Sequence, residues 1–244
     1  MLIASKTDTG LVRSNNQDSF ATGEFSKNSA WAVVCDGMGG TNGGNIASAM
    51  AVKFISETIL NSIHFGNTSG SMKNILKSAI YNANIAVFDK ARENSELSGM
   101  GTTVVSVIIN NGTAYIAHAG DSRAYLINDD GITQITRDHS IVQTMIENGQ
   151  LTSEEARFHP SKNVITRALG IGDMINTEFT EVQLAPKDKL LLCTDGLTNY
   201  VQVGKIKDII TNTHFSDIPF TLISAANNAG GGDNVTAVIL SIEG

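Results

Sequence analysis

Positive charge is scarce in this 244-residue chain. Seventeen Lys and Arg face 24 Asp and Glu, a formal net charge of −7, with an isoelectric point near 5.2. A binder of duplex nucleic acid would carry the opposite imbalance, so that class is set aside. Cysteine is scarcer, with only Cys35 and Cys193. Each sits in an apolar run, with no C-x-x-C spacing and no nearby pair of histidines. A thiolate zinc site is excluded, and both read as small buried apolar residues. No apolar run reaches the length of a membrane span. The opening MLIASKTDTG lacks the charged and apolar regions of a secretion signal, so the expected place is the cytoplasm with no membrane partner. Three Asn-x-Ser/Thr triplets, at Asn67, Asn111 and Asn234, then carry no meaning as glycosylation sites. Internal repeats, low-complexity tracts and a composition break between domains are also missing. With 41% hydrophobic residues the chain can bury a sizeable core, and one domain over 1–244 is expected.

What is present is a series of aspartates beside glycine. They occur in Cys35-Asp36-Gly37-Met38-Gly39-Gly40, Gly120-Asp121-Ser122-Arg123, Thr194-Asp195-Gly196-Leu197 and Gly232-Asp233-Asn234. Three stand where an apolar run ends and the fourth just before one begins, so the carboxylates belong at strand ends. Several carboxylates converging without lysine repel one another, and divalent cations with a taste for hard oxygen offset that cost. Near the N-terminus, Arg13-Ser14-Asn15-Asn16-Gln17-Asp18 offers an arginine that can fork onto phosphate oxygens. The glycine-rich run after Asp36 matches neither the P-loop nor the dinucleotide fingerprint. With one carboxylate there, the carbonyl of Gly37 is a natural extra ligand. The pattern points to metal-dependent chemistry on a phosphate.

The periodicity outlines the scaffold. Ser29–Cys35 and Lys189–Thr194 read as buried strands, and Asn234–Ile242 as a third. Helices are expected over about 45–63, 71–94, 204–212 and 218–229, the second having a near-perfect stripe of Met72, Ile75, Leu76, Ala79, Ile80, Ala83 and Val87. Gly66–Gly70 reads as the turn between the first two. The run 102–136, broken at Asn110-Asn111-Gly112, Gly120-Asp121-Ser122 and Asn128–Gly131, is expected to be a four-stranded antiparallel meander. Residues 139–170 are polar and partly helical (Ile141–Asn148, Ser153–Phe158), an insert or flap beside the site. His118 is expected to be a satisfied core histidine, and Arg123 and Arg137 to pair with carboxylates. The fold class is α+β, with two packed antiparallel sheets and helix pairs outside.

The ordered series RSNNQD, DGMGG, GTT (Gly101–Thr103), GDSR, TRDHS, TRALG, TDGL and GDN resembles the metal-dependent Ser/Thr protein phosphatases of type 2C, above all their short bacterial members. It runs from Lys6 to Ile242, and eight motifs in register are specific where each alone is weak. The resemblance implies an antiparallel β-sandwich flanked on each side by a helix pair, and a hydrolase taking phosphate from phosphoserine and phosphothreonine on proteins in signalling, opposite a cognate Ser/Thr kinase. It implies two Mn2+ or Mg2+ ions with a third, weaker one near Asp121. Asp36 would bridge the pair, the Gly37 carbonyl would bind the first ion, Asp195 and Asp233 the second, and Asp121 with Asp195 the third. Arg13 would hold phosphate, and Asp18 would contact the metals through water. The attacking group would be a metal-bridging hydroxide, without a phosphoenzyme. Two departures stand out. Met38 occupies a position where some relatives carry a histidine proposed as general acid, leaving a metal-bound water or His139 as proton donor. Asn45 replaces an acidic residue at the expected start of the first helix, which Asn45 or Gly44 could cap. Two rival readings are a silent phosphoprotein-binding module, disfavoured by the full set of ligands, and an enzyme with one regulatory target such as an anti-sigma antagonist.

Overall fold

The computed structural model describes residues 1–63 and 68–242. Its strands form two antiparallel sheets. The first runs β1 (Leu2–Asp8), β11 (Val235–Ser241), β10 (Lys189–Cys193), β7 (Arg123–Asn128), β8 (Gly131–Gln134). The second runs β2 (Asp18–Ser26), β3 (Ser29–Met38), β5 (Val104–Asn110), β6 (Thr113–Ala119), β9 (Glu178–Gln183), with the two-residue β4 (Gly101–Thr102) paired to the end of β3. Helices α1 (Gly40–Ser62) and α2 (Ser69–Glu93) cover the outer face of the second sheet. Helices α6 (Val203–Asn212) and α7 (Ile218–Asn228) cover the first. Short helices α3 (Ile141–Glu147) and α4 (Ser153–Ala156) lie in the insert, and α5 (Asp195–Thr198) follows β10.

This layering explains the continuously apolar strands. Side chains alternate across a strand, so both faces must be covered for every residue to be apolar. In β3, Ala30, Ala32 and Val34 face the opposite sheet, while Trp31, Val33 and Cys35 pack under α1 and α2. In β10, Leu190 and Leu192 point between the sheets, and Leu191 and Cys193 meet α6 and α7. The α2 stripe from Met72 to Val87 is buried as its spacing predicts. Each such large side chain contributes about 1.5–3 kcal/mol.

Four expectations are corrected or refined. The run 102–136 is not one meander. β5 and β6 pair, and β7 and β8 pair, but β6 lies in the second sheet and β7 in the first. The chain changes sheets at Gly120–Ser122, which carries Asp121 to the end of the sandwich. Strands β1, β2 and β9 lack strong alternation and were not anticipated, because their burial is partial and irregular. Helix α1 begins at Gly40 with Gly39 as its N-cap, so Asn45 lies within it and caps nothing. Of the expected 66–70 turn, Gly66 and Asn67 lie outside the described residues, and Ser69 already belongs to α2 behind a Thr68 cap. The β5–β6 hairpin is as expected, with Asn111 at φ 49° and Gly112 at φ 83°, the double left-handed turn that matches strand twist. Among the described residues no helix is long and apolar enough to cross a membrane.

Candidate active site

The site is assembled by strand register. Pairing of β2 with β3 sets Asp18 directly opposite Asp36. Like charges at facing positions destabilise a sheet unless something positive lies between or beside them. Asp18 is only 7% exposed. Its Oδ2 accepts hydrogen bonds from Thr236 Oγ1 at 2.7 Å and Thr194 Oγ1 at 2.9 Å. Its Oδ1 is buried without a partner. Burial pushes the carboxyl up to about 7, against those two hydroxyl bonds and with help from Asp195 and Asp233. Asp36 is raised well above the carboxylate range, first by burial, then by Asp18, Asp195, Asp121 and Asp233. Its backbone is fixed by the GTT motif. Asp36 N–H donates to Thr103 Oγ1 (2.9 Å), and its carbonyl accepts from Thr103 N–H and Thr102 Oγ1, both at 2.8 Å. Thr103 Oγ1 is in turn 2.7 Å from Ser122 Oγ, joining Asp36 to the Asp121 turn.

The remaining acids arrive from the first sheet. Asp195 opens α5, and its Oδ2 accepts from Asn199 Nδ2 at 2.9 Å. Burial and then Asp233 raise its pKa. Gly196 must be glycine, because a Cβ there would lie 1.8 Å from the Asn234 carbonyl oxygen. That contact brings the TDGL turn against the GDN turn. Gly37 is equally constrained, its Cβ position being 2.0 Å from the Gly44 carbonyl oxygen. Asp121 is buried, and burial followed by Asp195 and Asp138 raises it well above its usual range. Asp233 is held by Arg13 through two contacts, Nε to Oδ1 at 2.9 Å and Nη2 to Oδ2 at 3.0 Å. The arginine pKa is raised mainly by that pair.

Arg13, Asp36, Gly37, Asp121, Asp195 and Asp233 line one cleft of about 470 Å³, joined by Met38 and by Asn163 and Ile165 of the insert. Asp18 is set back from this surface, buried beside Asp36. Among the described residues Arg13 is the one cation on the lining, facing four carboxylates. The fit to divalent cations is good on three counts: an all-oxygen donor set, carboxyls whose ionisation is opposed by their neighbours, and a buried carboxylate oxygen with nothing to bind.

Sequence reasoning missed Asn234. Its Oδ1 accepts from Gln17 N–H at 2.8 Å, and its Nδ2 donates to the carbonyls of Thr9 and Asn15, each at 2.9 Å. It clips the Arg13 loop to the Asp233 turn. Asparagine beside a glycine-aspartate pair reads as turn chemistry, so only the structure reveals the clip. Thr194, just past the end of β10, and Thr236, inside β11, hold Asp18, a role that the sequence did not reveal for either.

The structure also gathers His118, His139 and Glu178, whose ligand atoms lie within 4.8 Å of one another. The imidazoles stack with centroids 4.7 Å apart and planes 7° from parallel, so their lone pairs run side by side rather than converging. His118 Nε2 lies 2.8 Å from the Arg137 carbonyl, and Arg167 Nη1 lies 2.9 Å from His139 Nε2 and 3.2 Å from Glu178 Oε1. A guanidinium already supplies the positive charge there. His118 is thus the satisfied core histidine expected. His139 Nδ1 accepts from Gly120 N–H, and the residue is off the cleft lining. Arg123 pairs with Asp138, and Arg137 with Glu147 and Glu178, as expected. Both cysteines are free and buried. Burial raises both thiols, Cys193 to about 12 and Cys35 further still, so neither supplies a thiolate.

A sequence signature described as "Protein phosphatase 2C" matches residues 11–234. Protein phosphatase PhpP of Streptococcus pneumoniae is 38% identical over 247 aligned residues, covering 99% of this chain and 98% of that protein. The crystal structure of the serine/threonine phosphatase Stp1 from Staphylococcus aureus superposes with a TM-score of 0.93 at 35% identity, covering 99% of this chain and 95% of the other. The catalytic domain of the serine/threonine protein phosphatase PstP, solved in complex with two manganese ions, gives 0.86 at 31% identity, covering 100% and 98%.

Proposed function

Because this chain belongs to the protein phosphatase 2C family and is a metal-dependent protein serine/threonine phosphatase, we propose that its cleft uses a pair of Mn2+ or Mg2+ ions to hydrolyse phosphoserine and phosphothreonine by direct attack of water-derived hydroxide. Asp36, the Gly37 carbonyl, Asp195 and Asp233 would hold the pair, and Asp121 would serve a third, weaker ion. When bound, the ions would neutralise the acidic floor, draw in the phosphoryl group and lower the pKa of water.

The chain's own residues do the rest. Nε and Nη2 of Arg13, which now grip both oxygens of Asp233, have the forked geometry that fits two phosphoryl oxygens. Arg13 would orient the phosphate and offset charge that grows in the transition state. Asp18 keeps one oxygen on Thr194 and Thr236 and leaves the other free to order a solvent molecule beside Asp36. Both cysteines are buried and held as thiols, which removes a cysteinyl-phosphate route and supports attack by water. Met38 cannot protonate the leaving alkoxide. His139, off the lining with both ring nitrogens engaged, is a poor donor, so the proton comes from solvent.

The substrates are phosphoproteins, with a cognate Ser/Thr kinase as counterpart in the cytoplasm, where ATP-dependent kinases make such substrates. The chain is read as one phosphatase domain in which 139–170 acts as a flap that tunes substrate choice, since Asn163 and Ile165 reach the cleft. Grafting a relative's flap should change peptide preference, and unchanged preference would remove that role. The convergence of four carboxylates and one guanidinium in a single cleft carries the proposal. Hydrolysis of para-nitrophenyl phosphate should require manganese, survive okadaic acid and collapse in Asp36→Ala and Asp233→Ala. Metal-independent turnover would overturn it.

A further inference from the structure

The loop that carries Arg13 is fixed at both ends and bare in the middle. At its start, Leu11 N–H donates to the Gly231 carbonyl at 2.7 Å, and Gly10 lies so close to the Asp233 backbone that a Cβ would stand 2.2 Å from its carbonyl oxygen. At its end, Asn234 holds the Asn15 carbonyl and the Gln17 N–H, and the Gln17 carbonyl accepts from Gly37 N–H and Ser48 Oγ. Polar contacts thus set the loop's course. Yet the two residues before Arg13 are aliphatic and open to solvent, Leu11 69% and Val12 72% exposed. Burying them plays little part in holding the loop. Across the cleft, the flap places Ile165 on the lining and leaves Val164 exposed. Ile165 thus borders the acidic floor, while Leu11 and Val12 stand outside the lining, immediately before Arg13 in the chain and open to solvent.

Any substrate whose phosphoryl group reaches Arg13 must lay its neighbouring residues over this border, since adjacent residues sit about 3.3–3.6 Å apart along an extended chain. Two consecutive exposed aliphatic residues next to the arginine of a functional cleft are candidates for a contact surface. We propose that Leu11 and Val12 form an apolar subsite for an aliphatic residue flanking the phosphoserine or phosphothreonine of the substrate. The inference rests on the phosphatase reading and refines it from "phosphoprotein" to a class of sequence.

The test uses the full chain with manganese and three substrates: para-nitrophenyl phosphate, a phosphothreonine peptide with leucine on both sides, and the same peptide with serine on both sides. The wild-type protein should favour the leucine peptide by about tenfold in kcat/KM, the scale of one apolar group in a partly open pocket. Val12→Ser, and separately Leu11→Ser, should erase most of that preference through KM, leaving para-nitrophenyl phosphate and the serine peptide unchanged. Val12→Ile should restore it. Equal turnover of the two peptides by the wild type, or a loss in Val12→Ser shared by both peptides, would overturn the subsite while leaving the phosphatase standing. Failure of the wild type to hydrolyse para-nitrophenyl phosphate with manganese would instead strike the underlying reading.

Discussion

Asp18→Asn should make the metal-stripped protein more stable and the manganese-loaded protein less responsive. Burial pushes Asp18 up to about 7 against an ordinary 3.8. At 1.36 kcal/mol for each tenfold in acidity, keeping it ionised above pH 7 costs at most about 4 kcal/mol. An asparagine oxygen can still accept from Thr194 and Thr236, but its amide replaces an oxygen that has no partner and loses about 1–3 kcal/mol if unmatched. A net gain of about 2 kcal/mol remains, or about 4–8 °C in melting temperature for a chain of this size. The pH dependence has a definite sign. The native protein holds a proton that the unfolded chain has already released between pH 4 and 7, so wild-type stability in EDTA falls as pH rises through that window. The variant lacks this contribution. Calorimetry in EDTA should show the variant ahead near pH 8, level with wild type at about pH 5–6 and behind it near pH 4. In manganese chloride the wild type should gain more from the metal than the variant does. A variant that melts lower than wild type in EDTA at pH 8, with a gap independent of pH, would refute the argument that Asp18 is a carboxylate held in reserve for cations.

Two more outcomes follow from the clip and the histidine pair. Asn234→Ala removes three hydrogen bonds from the Arg13 loop and should cost about 2–4 kcal/mol, read as a lower denaturation midpoint, with a raised KM for phosphopeptide. An unchanged midpoint would deny the clip its role. Burial lowers His139 to about 4, with Glu178 opposing and His118 and Arg167 assisting. Its imidazole resonances should therefore titrate well below 6.5, and the stability that comes from keeping it neutral should be full above pH 6.5 and fade toward pH 4. A midpoint near 6.5 in the folded protein would contradict that placement.

Much of the architecture was legible because both sheets are covered on both faces. That burial made the middles of β3 and β10 continuously apolar, kept β11 buried along its length and gave α2 an unbroken stripe. The strands that escaped notice, β1, β2 and β9, have partly exposed and irregular patterns, so the period-two signal is weak. The false meander has a clear cause. Asp121's turn looks like any Gly-Asp-Ser hairpin, and local sequence does not encode that the strand after it joins another sheet. In the site, the aspartates were visible through their glycine neighbours, whose close approaches are real at Gly37 and Gly196. Asn234, Thr194 and Thr236 act by side-chain bonds to residues more than 40 positions away, and no spacing rule reports those.

The central claim is that these carboxylates exist to hold paired divalent ions. Anomalous diffraction at the manganese edge, from crystals of the wild-type protein grown with manganese chloride, tests it directly. Two strong peaks should appear in the cleft, within coordinating distance of Asp36 and shared between the Gly37 carbonyl, Asp195 and Asp233. Peaks confined to the His118, His139 and Glu178 cluster, or an empty cleft at saturating manganese, would contradict it.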